Sequence, residues 1–357
     1  MKIALIARTT QPRGGTESYL FDIVAGFKRA GHEVHVFTSC FRLGRPIVSM
    51  GVKVHRIPLS FLPKFLRLRS YRFMLSVLLK RTDYDLTISV ARIGGHDLTV
   101  CGGTHLGFLR STGKCISLKD KAEILEERHS YRYSSLVVPH SPLMQAELEE
   151  LYGVNSSKVR LIYPPVNVLK FGNRGSVSKS ELKKRFGLSS DRKTLLFPST
   201  SHARKGLPLL LEALGRLPES QFELAVAGSK SDSARMPKNV KFLGFVKSME
   251  DLYRAADITV LPSHYEPFGL VITESIACGT PVVLHNKVGA HTLVTEREGI
   301  SFSELNSQSL SAAIMQASNA TFDIDKNFCV NHSLTVDGHV ARLILAGEEA
   351  RERSLIF

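Results

Sequence analysis

The stretch His264-Tyr265-Glu266-Pro267-Phe268-Gly269-Leu270-Val271-Ile272-Thr273-Glu274 places two carboxylates eight positions apart. Pro267 and Gly269 mark a turn just after the first, and an apolar run leads to the second. A helix beginning near Gly269 would aim its unpaired N–H groups at an anion and carry Glu274 one turn in. A loop carboxylate accepts hydrogen bonds from a pair of sugar hydroxyls, while a helix N-terminus takes phosphate. Together these features point to a sugar-nucleotide site. On either side, Ile258–Leu261 and Pro281–Leu284 are short apolar runs of the kind buried on both faces of a parallel sheet.

The same strand–helix rhythm extends outward in both directions. Thr194–Phe197, Phe222–Ala227 and Val240–Leu243 read as strands, the last two closed by Gly228 and Gly244. Pro208–Leu217 and Met249–Ala256 read as helices. In the first half, residues 2–7 form an apolar strand and Thr9–Thr16 a turn-rich loop. Glu17–Ala30 is helical and Val34–Phe37 a second strand, which makes a βαβ unit. Val52–Ile57, Leu86–Val90 and Leu136–Pro139 are further strands, and Ser141-Pro142 opens a helix that Gly153 stops.

Pro164-Pro165 can continue neither a helix nor a central strand, so it marks a stiff connector. The expected architecture is α/β, with two Rossmann-like doubly wound domains facing a central cleft, where ligands bind beyond the carboxyl ends of the strands. Residues 1–165 form the N-terminal domain and 166–335 the nucleotide-sugar-binding domain. Residues 336–357 form a C-terminal helix expected to pack across both.

A chain of 357 residues suits two domains of about 170 each. Hydrophobic content of 43% with 22% charged residues allows a substantial core. Forty-seven Lys and Arg against 33 Asp and Glu give +14, which favours anionic partners. Five scattered cysteines (Cys40, Cys101, Cys115, Cys278, Cys329) lack zinc-like spacing and read as buried free thiols. Residues 1–7 are too short for a signal-peptide core, and no run of about 18 apolar residues would span a membrane.

Gly14-Gly15, after the first strand, lets backbone N–H groups approach an oxyanion. It is not G-x-G-x-x-G, and no acid ends the second strand, which disfavours a dinucleotide dehydrogenase. Arg204-Lys205 follows the strand that opens the second half, and such a basic pair suits a diphosphate. Asp83-Tyr84-Asp85 has the D-x-D pattern of metal-dependent transferases. It precedes a strand instead of following one, and reads as a turn.

The run from Glu266 through Glu274-Ser-Ile-Ala-Cys-Gly-Thr-Pro-Val282 resembles the signature of the family 4 retaining glycosyltransferases, which have the GT-B fold. Gly14-Gly15, Arg204-Lys205 and Val240-Lys-Phe-Leu-Gly244-Phe-Val match that family in order and spacing, so the resemblance covers nearly the whole chain. It implies that Glu266 holds donor-sugar hydroxyls, Glu274 the ribose hydroxyls, and Arg204 and Lys205 the diphosphate. Gly14 and Gly15 would close over the phosphate or acceptor side, and backbone at Phe245 and Val246 would receive the base. Phe268 and the N–H groups of Gly269, Leu270 and Val271 would face phosphate or sugar. His105, in the loop Cys101-Gly-Gly-Thr-His105, would face the donor sugar, with His140 and His202 as weaker candidates. Two fixed cations and a helix N-terminus stabilise the charge of a departing nucleoside diphosphate without a metal or cofactor.

Two basic stretches mix cations with large apolar residues: Phe61–Arg81, whose cations form no single helical face, and Arg110–Lys121 with Arg128 and Arg132. Around Gly107-Phe108-Leu109 and Arg128–Tyr133 the chain resembles lipopolysaccharide core glucosyltransferases, in which the corresponding region contacts the membrane. The expectation is a retaining, metal-independent hexosyltransferase at the inner face of the cytoplasmic membrane. It would move a hexose such as glucose from a UDP-sugar donor to a lipid-linked or lipopolysaccharide acceptor. A sugar-nucleotide epimerase or hydrolase of the same fold is the alternative. A nucleic-acid-binding module is disfavoured, since Trp is absent and no recognition motif is present.

Overall fold

The computed structural model describes residues 1–9, 15–40, 46–59, 61–79, 83–172, 175–229 and 236–356. The chain divides into two units, residues 1–165 with 333–357, and residues 166–332. The first crossing lies between Pro165 and Val166, immediately after the double proline.

The first unit begins β1 (Lys2–Thr9), α1 (Gly15–Arg29), β2 (Glu33–Cys40), α2 (Pro46–Ser49), β3 (Lys53–Arg56) and α3 (Lys64–Leu78). It continues β4 (Leu86–Ser89), β5 (Leu98–Cys101), α4 (His105–Ser111), α5 (Leu118–Tyr133), β6 (Leu136–Pro139) and α6 (Pro142–Tyr152). Its six strands are ordered β3-β2-β1-β4-β5-β6, and all pair in parallel. Side chains of β1 alternate between two helical layers. Ile3 and Leu5 pack with Leu20, Ile23 and Phe27 of α1, while Ala4 and Ile6 pack with Tyr71 and Leu75 of α3. Burial on both faces explains why β1 reads as one apolar run.

The second unit begins α7 (Val168–Phe171), α8 (Lys179–Phe186), β7 (Lys193–Ser199), α9 (His202–Lys205) and α10 (Leu207–Leu214). Next come β8 (Phe222–Gly228), β9 (Val240–Gly244), α11 (Met249–Ala255), β10 (Ile258–Leu261) and α12 (Leu270–Ala277). It ends β11 (Val282–His285), β12 (Gly299–Phe302), α13 (Ser307–Asn319) and α14 (Phe328–Asn331). The strand order β12-β11-β10-β7-β8-β9 repeats the first sheet's winding, again all parallel. In each sheet the chain reverses its direction of travel between two central neighbours, β1 with β4 and β7 with β10. Loops leaving the carboxyl ends of such neighbours diverge, and ligands bind in the crevice they leave.

The last helix, α15 (Val336–Ile356), belongs to the first unit. Val340, Leu343, Ala346 and Ala350 enter the same core as α1 and β1. Arg160 Nε donates to Glu349 Oε2 at 2.8 Å, and Arg342 Nη2 donates to the Leu161 carbonyl at 2.8 Å. The helix thereby clamps the chain just before the prolines.

Under this helix lies a buried group of rings. His339 Nδ1 lies 2.8 Å from the Tyr163 carbonyl, so that nitrogen carries the proton and Nε2 accepts from Tyr19 Oη at 2.9 Å. The His140 ring packs edge-on against Tyr19. Burial pushes His140 down from 6.5 to about 3 and His339 to about 4, so both are neutral in the folded protein. Their folded pKa values lie below the unfolded one, so the unfolded chain binds more protons as pH falls. The stability they contribute is present above pH 6.5 and is lost toward pH 4 and then 3. Urea unfolding between pH 6.5 and 4.5 should therefore lose up to about 1.4 kcal/mol per pH unit for each ring. His140→Gln should remove one ring's share of that slope, and an unchanged slope would contradict the assignment.

Candidate functional site

β7 and β10 are hydrogen-bonded neighbours at the reversal point of the second sheet. The loop after β7 delivers Arg204 and Lys205, and the loop after β10 delivers Glu266. Arg204 Nη1 donates to Glu266 Oε2 at 3.0 Å and to the Tyr265 carbonyl at 2.6 Å. Lys205 Nζ lies 3.9 Å from the same carboxylate oxygen and 3.5 Å from the Pro198 carbonyl. One largely buried carboxylate thus holds two cations together, offsetting their mutual repulsion.

The backbone fixes this arrangement. The His264 N–H donates to the Arg204 carbonyl at 3.2 Å, which joins the two loops directly. Between them Gly206 has φ +87°, and a Cβ there would sit 2.2 Å from the Pro262 carbonyl oxygen. Only glycine permits this approach. The carbonyls of Glu266 and Phe268 accept from the N–H groups of Gly289 at 2.9 Å and Ala290 at 2.7 Å, and Phe268 is buried. Gly269 then turns left-handed at φ +93° and caps α12, so Leu270 and Val271 open the helix. Their N–H groups belong to the first turn, which carries the positive end of the helix dipole.

Glu274, one turn in, accepts from Tyr253 Oη at 2.8 Å. Tyr253, on α11, is fully buried, and burial followed by the charge of Glu274 pushes its phenol well above the usual range. It is therefore a permanent donor that orients Glu274. Nothing near Tyr253 in the sequence announces this role, because its partner lies 21 positions away. Phe245, after β9, is 79% exposed, and Val246 is half-buried. His202 Nε2 lies 2.9 Å from the Ser229 carbonyl and therefore carries the proton.

In the first unit Gly14 lies outside the described residues, and Gly15 opens α1 in an exposed position. His105 begins α4, with its ring between two carboxylates of α5: Nε2 is 2.8 Å from Asp120 Oδ1 and Nδ1 is 3.4 Å from Glu123 Oε2. Its backbone N–H donates to both oxygens of buried Glu127, at 3.1 and 3.0 Å. Glu127 also pairs with Arg92 and accepts from Tyr152 Oη, so three donors satisfy it. The sequence marked His105 but gave no sign of these partners. His140 Nε2 is buried with no hydrogen-bond partner among the described residues.

Cys101, Cys278 and Cys329 are buried free thiols. Burial raises Cys278 to about 12 and the other two to about 11. Cys115 is exposed, contrary to the reading of all five as buried, because it lies in the polar turn before α5. Among the described residues no three His, Cys, Asp or Glu side chains are grouped to hold a metal ion. No described helix is long and apolar enough to cross a membrane.

Comparison with known proteins matches residues 178–328 to the glycosyl transferases group 1 and residues 13–169 to glycosyltransferase family 4. A probable transglycosylase of Burkholderia thailandensis is 36% identical over 362 residues, covering 99% of each chain. WaaG, a glycosyltransferase involved in lipopolysaccharide biosynthesis, superposes with a TM-score of 0.76 over 98% of each chain at 18% identity. Anabaena HepE, solved in complex with UDP and glucose, superposes at 0.72 over 100% of each chain, also at 18% identity. These two likenesses concern the fold.

The turn at Gly269 yields a direct test. A Cβ there would meet Val288 Cγ1 at 2.8 Å in a backbone region that L side chains rarely adopt. Gly269→Ala should destabilise the protein by about 1–3 kcal/mol in urea titration and misdirect the α12 N-terminus. Wild-type stability would contradict the geometry.

Proposed function

The chain belongs to the family 4 glycosyltransferases, and we propose that it moves a hexose from a UDP-sugar, with glucose the first candidate, to a membrane-held saccharide acceptor. The observation that carries this reading is the meeting of Arg204, Lys205 and Glu266 at the carboxyl ends of β7 and β10, beside the N-terminus of α12. That position suits a nucleoside diphosphate, and the residues there match its parts. Arg204 and Lys205 neutralise the diphosphate, the N–H groups of Leu270 and Val271 face its oxygens, and Glu274, oriented by Tyr253, takes the ribose hydroxyls. Backbone at Phe245 and Val246 receives the base. Glu266 exchanges its internal partners for sugar hydroxyls when the donor arrives, and His105 is assigned a sugar contact in its own unit.

As the glycosidic bond breaks, negative charge grows on the leaving diphosphate. Two fixed cations and a helix terminus stabilise it without waiting for solvent to reorganise. The same charge stabilisation needs no metal, and we assign the reaction as metal-independent. The acceptor hydroxyl attacks the anomeric carbon from the face the diphosphate leaves, passing its proton to a departing phosphate oxygen, so the anomeric configuration is retained. A lipid-linked saccharide such as a lipopolysaccharide core is the proposed acceptor, reached by peripheral association with the inner face of the cytoplasmic membrane. The net charge of +14 favours such an anionic partner.

A panel of UDP-, GDP- and ADP-sugars, assayed with and without lipid-linked acceptor, tests the reaction class. Transfer that requires acceptor supports the reading, and epimerised or hydrolysed sugar formed equally in its absence overturns it. Within that assay Glu274→Ala should raise the donor KM by roughly tenfold with kcat little changed. Glu266→Ala should lower kcat by roughly a hundredfold. Negligible effects from both would sink the site assignment.

A further inference from the structure

Near the β3 edge of the first sheet, two histidines and a tyrosine meet at one point. His35 and Phe37 share a face of β2, and the parallel register sets His55 of β3 beside Phe37. The His55 ring stacks on Phe37 with centroids 4.5 Å apart. Tyr84, just before β4, packs edge-on against both His35 and Phe37. His35 and Tyr84 are buried, and His55 is half-buried.

The hydrogen bonds of this group bring two donors to one acceptor. His35 Nε2 lies 3.0 Å from Glu33 Oε1, which only accepts, so that nitrogen carries the proton and Nδ1 of the neutral ring presents a bare lone pair. Two groups face this single lone pair at 3.0 Å each, His55 Nε2 and Tyr84 Oη. One of them is therefore left without a full acceptor, whereas a cation at the same point would engage the lone pairs of all three. The ring positions suit such an ion. Two imidazoles on a tetrahedral metal, with bonds of about 2.0–2.1 Å, place their nitrogens about 3.3 Å and their ring centroids about 5.2 Å apart. Here the centroids are 5.1 Å apart and the nitrogens 3.0 Å, so a slight tilt of half-buried His55 opens the space. Glu33, behind His35, is the carboxylate partner that fixes the tautomer of a metal-bound histidine.

The facing charges are balanced. Lys53 Nζ lies 2.6 Å from Glu33 Oε1, and Lys2 Nζ lies 4.8 Å from the centroid of the Tyr84 ring. Glu33, with Asp83 and Asp85 on either side of Tyr84, offsets these cations. Asp85 Oδ2 accepts from the Lys2 N–H at 2.6 Å, and the Tyr84 carbonyl accepts from Arg351. The D-x-D turn thus holds the phenol in place.

We propose that His35 Nδ1, His55 Nε2 and Tyr84 Oη form a structural site for one divalent transition metal, Zn²⁺ first, with a water beside His55 as fourth ligand. On binding, His55 carries its proton on Nδ1 and the phenol releases its own. The ion ties β2, β3 and the segment leading into β4 together. It sits toward the amino end of β2, whereas ligands of such sheets bind at the carboxyl ends, so the transfer reaction does not depend on it.

Calorimetric titration of Zn²⁺ into untagged protein, first stripped of metal with EDTA and dialysed, tests the site. The wild type should take up one equivalent at micromolar concentration and melt at a higher temperature with Zn²⁺ than without. His55→Ala and Tyr84→Phe should each weaken this binding by roughly tenfold or more and lose the Zn²⁺-dependent rise in melting temperature. Melting without metal reports whether each variant folds. Tyr84→Phe removes a single oxygen and keeps the test if His55→Ala does not fold. A wild type with no saturable binding overturns the site. Undiminished binding by either folded variant assigns the ion to other side chains and overturns it as well.

Discussion

The structure of the second unit turns on one carboxylate holding two cations. Glu266 meets Arg204 at 3.0 Å and Lys205 at 3.9 Å, although these residues lie some 60 positions apart in the chain. Their meeting follows from topology, because β7 continues to β8 on one side of the sheet and β10 continues to β11 on the other. The two loops are left facing each other across the reversal point. Gly206 allows close contact between them, and the His264–Arg204 backbone bond locks it. A site assembled in this way is preorganised: its charges are in place before any ligand arrives, and binding need only exchange one anion for another.

The rest of the site is positioned from the same frame. The segment after Glu266 is held by Gly289 and Ala290, so Gly269 can turn only where α12 begins. Glu274 follows at a fixed angle and is steadied by a tyrosine whose phenol stays protonated. Each carboxylate therefore has a distinct structural partner, a cation pair for Glu266 and a neutral donor for Glu274. This difference supports their assignment to separate parts of one donor and argues against a joint acid–base pair. In the first unit buried Glu127 has a comparable organising role, gathering Arg92, Tyr152 and the start of α4.

Much of this was legible in the sequence, for identifiable reasons. Ile258–Leu261 and Leu136–Pro139 are legible to the residue because strands buried on both faces are largely apolar and end abruptly. Leu98–Cys101, with the same Thr-containing pattern, is obscured because the glycine-rich Gly102-Gly103 loop follows at once. Gly299–Phe302 is not legible, because an edge strand beginning with glycine and half open to solvent carries little pattern. Helix α5 is hard to read from sequence because Leu118 and Leu125 face outward while Glu127 is buried beside Ile124 and Tyr131, which blurs the amphipathic pattern. The Glu266 and Arg204-Lys205 positions could be inferred from the strand-end rule, whereas Tyr253 and the carboxylates around His105 exist as partners only in three dimensions.

The central claim is that Arg204 and Lys205 bind the diphosphate of the donor through their charge alone. Calorimetric titration of UDP into the wild type and into Arg204→Gln/Lys205→Gln, both in excess EDTA, addresses it directly. The account predicts undiminished wild-type binding under chelation and a loss of roughly a hundredfold or more in the variant. Equal UDP affinity in the two proteins, or wild-type binding that vanishes with EDTA and returns with a divalent cation, would contradict it.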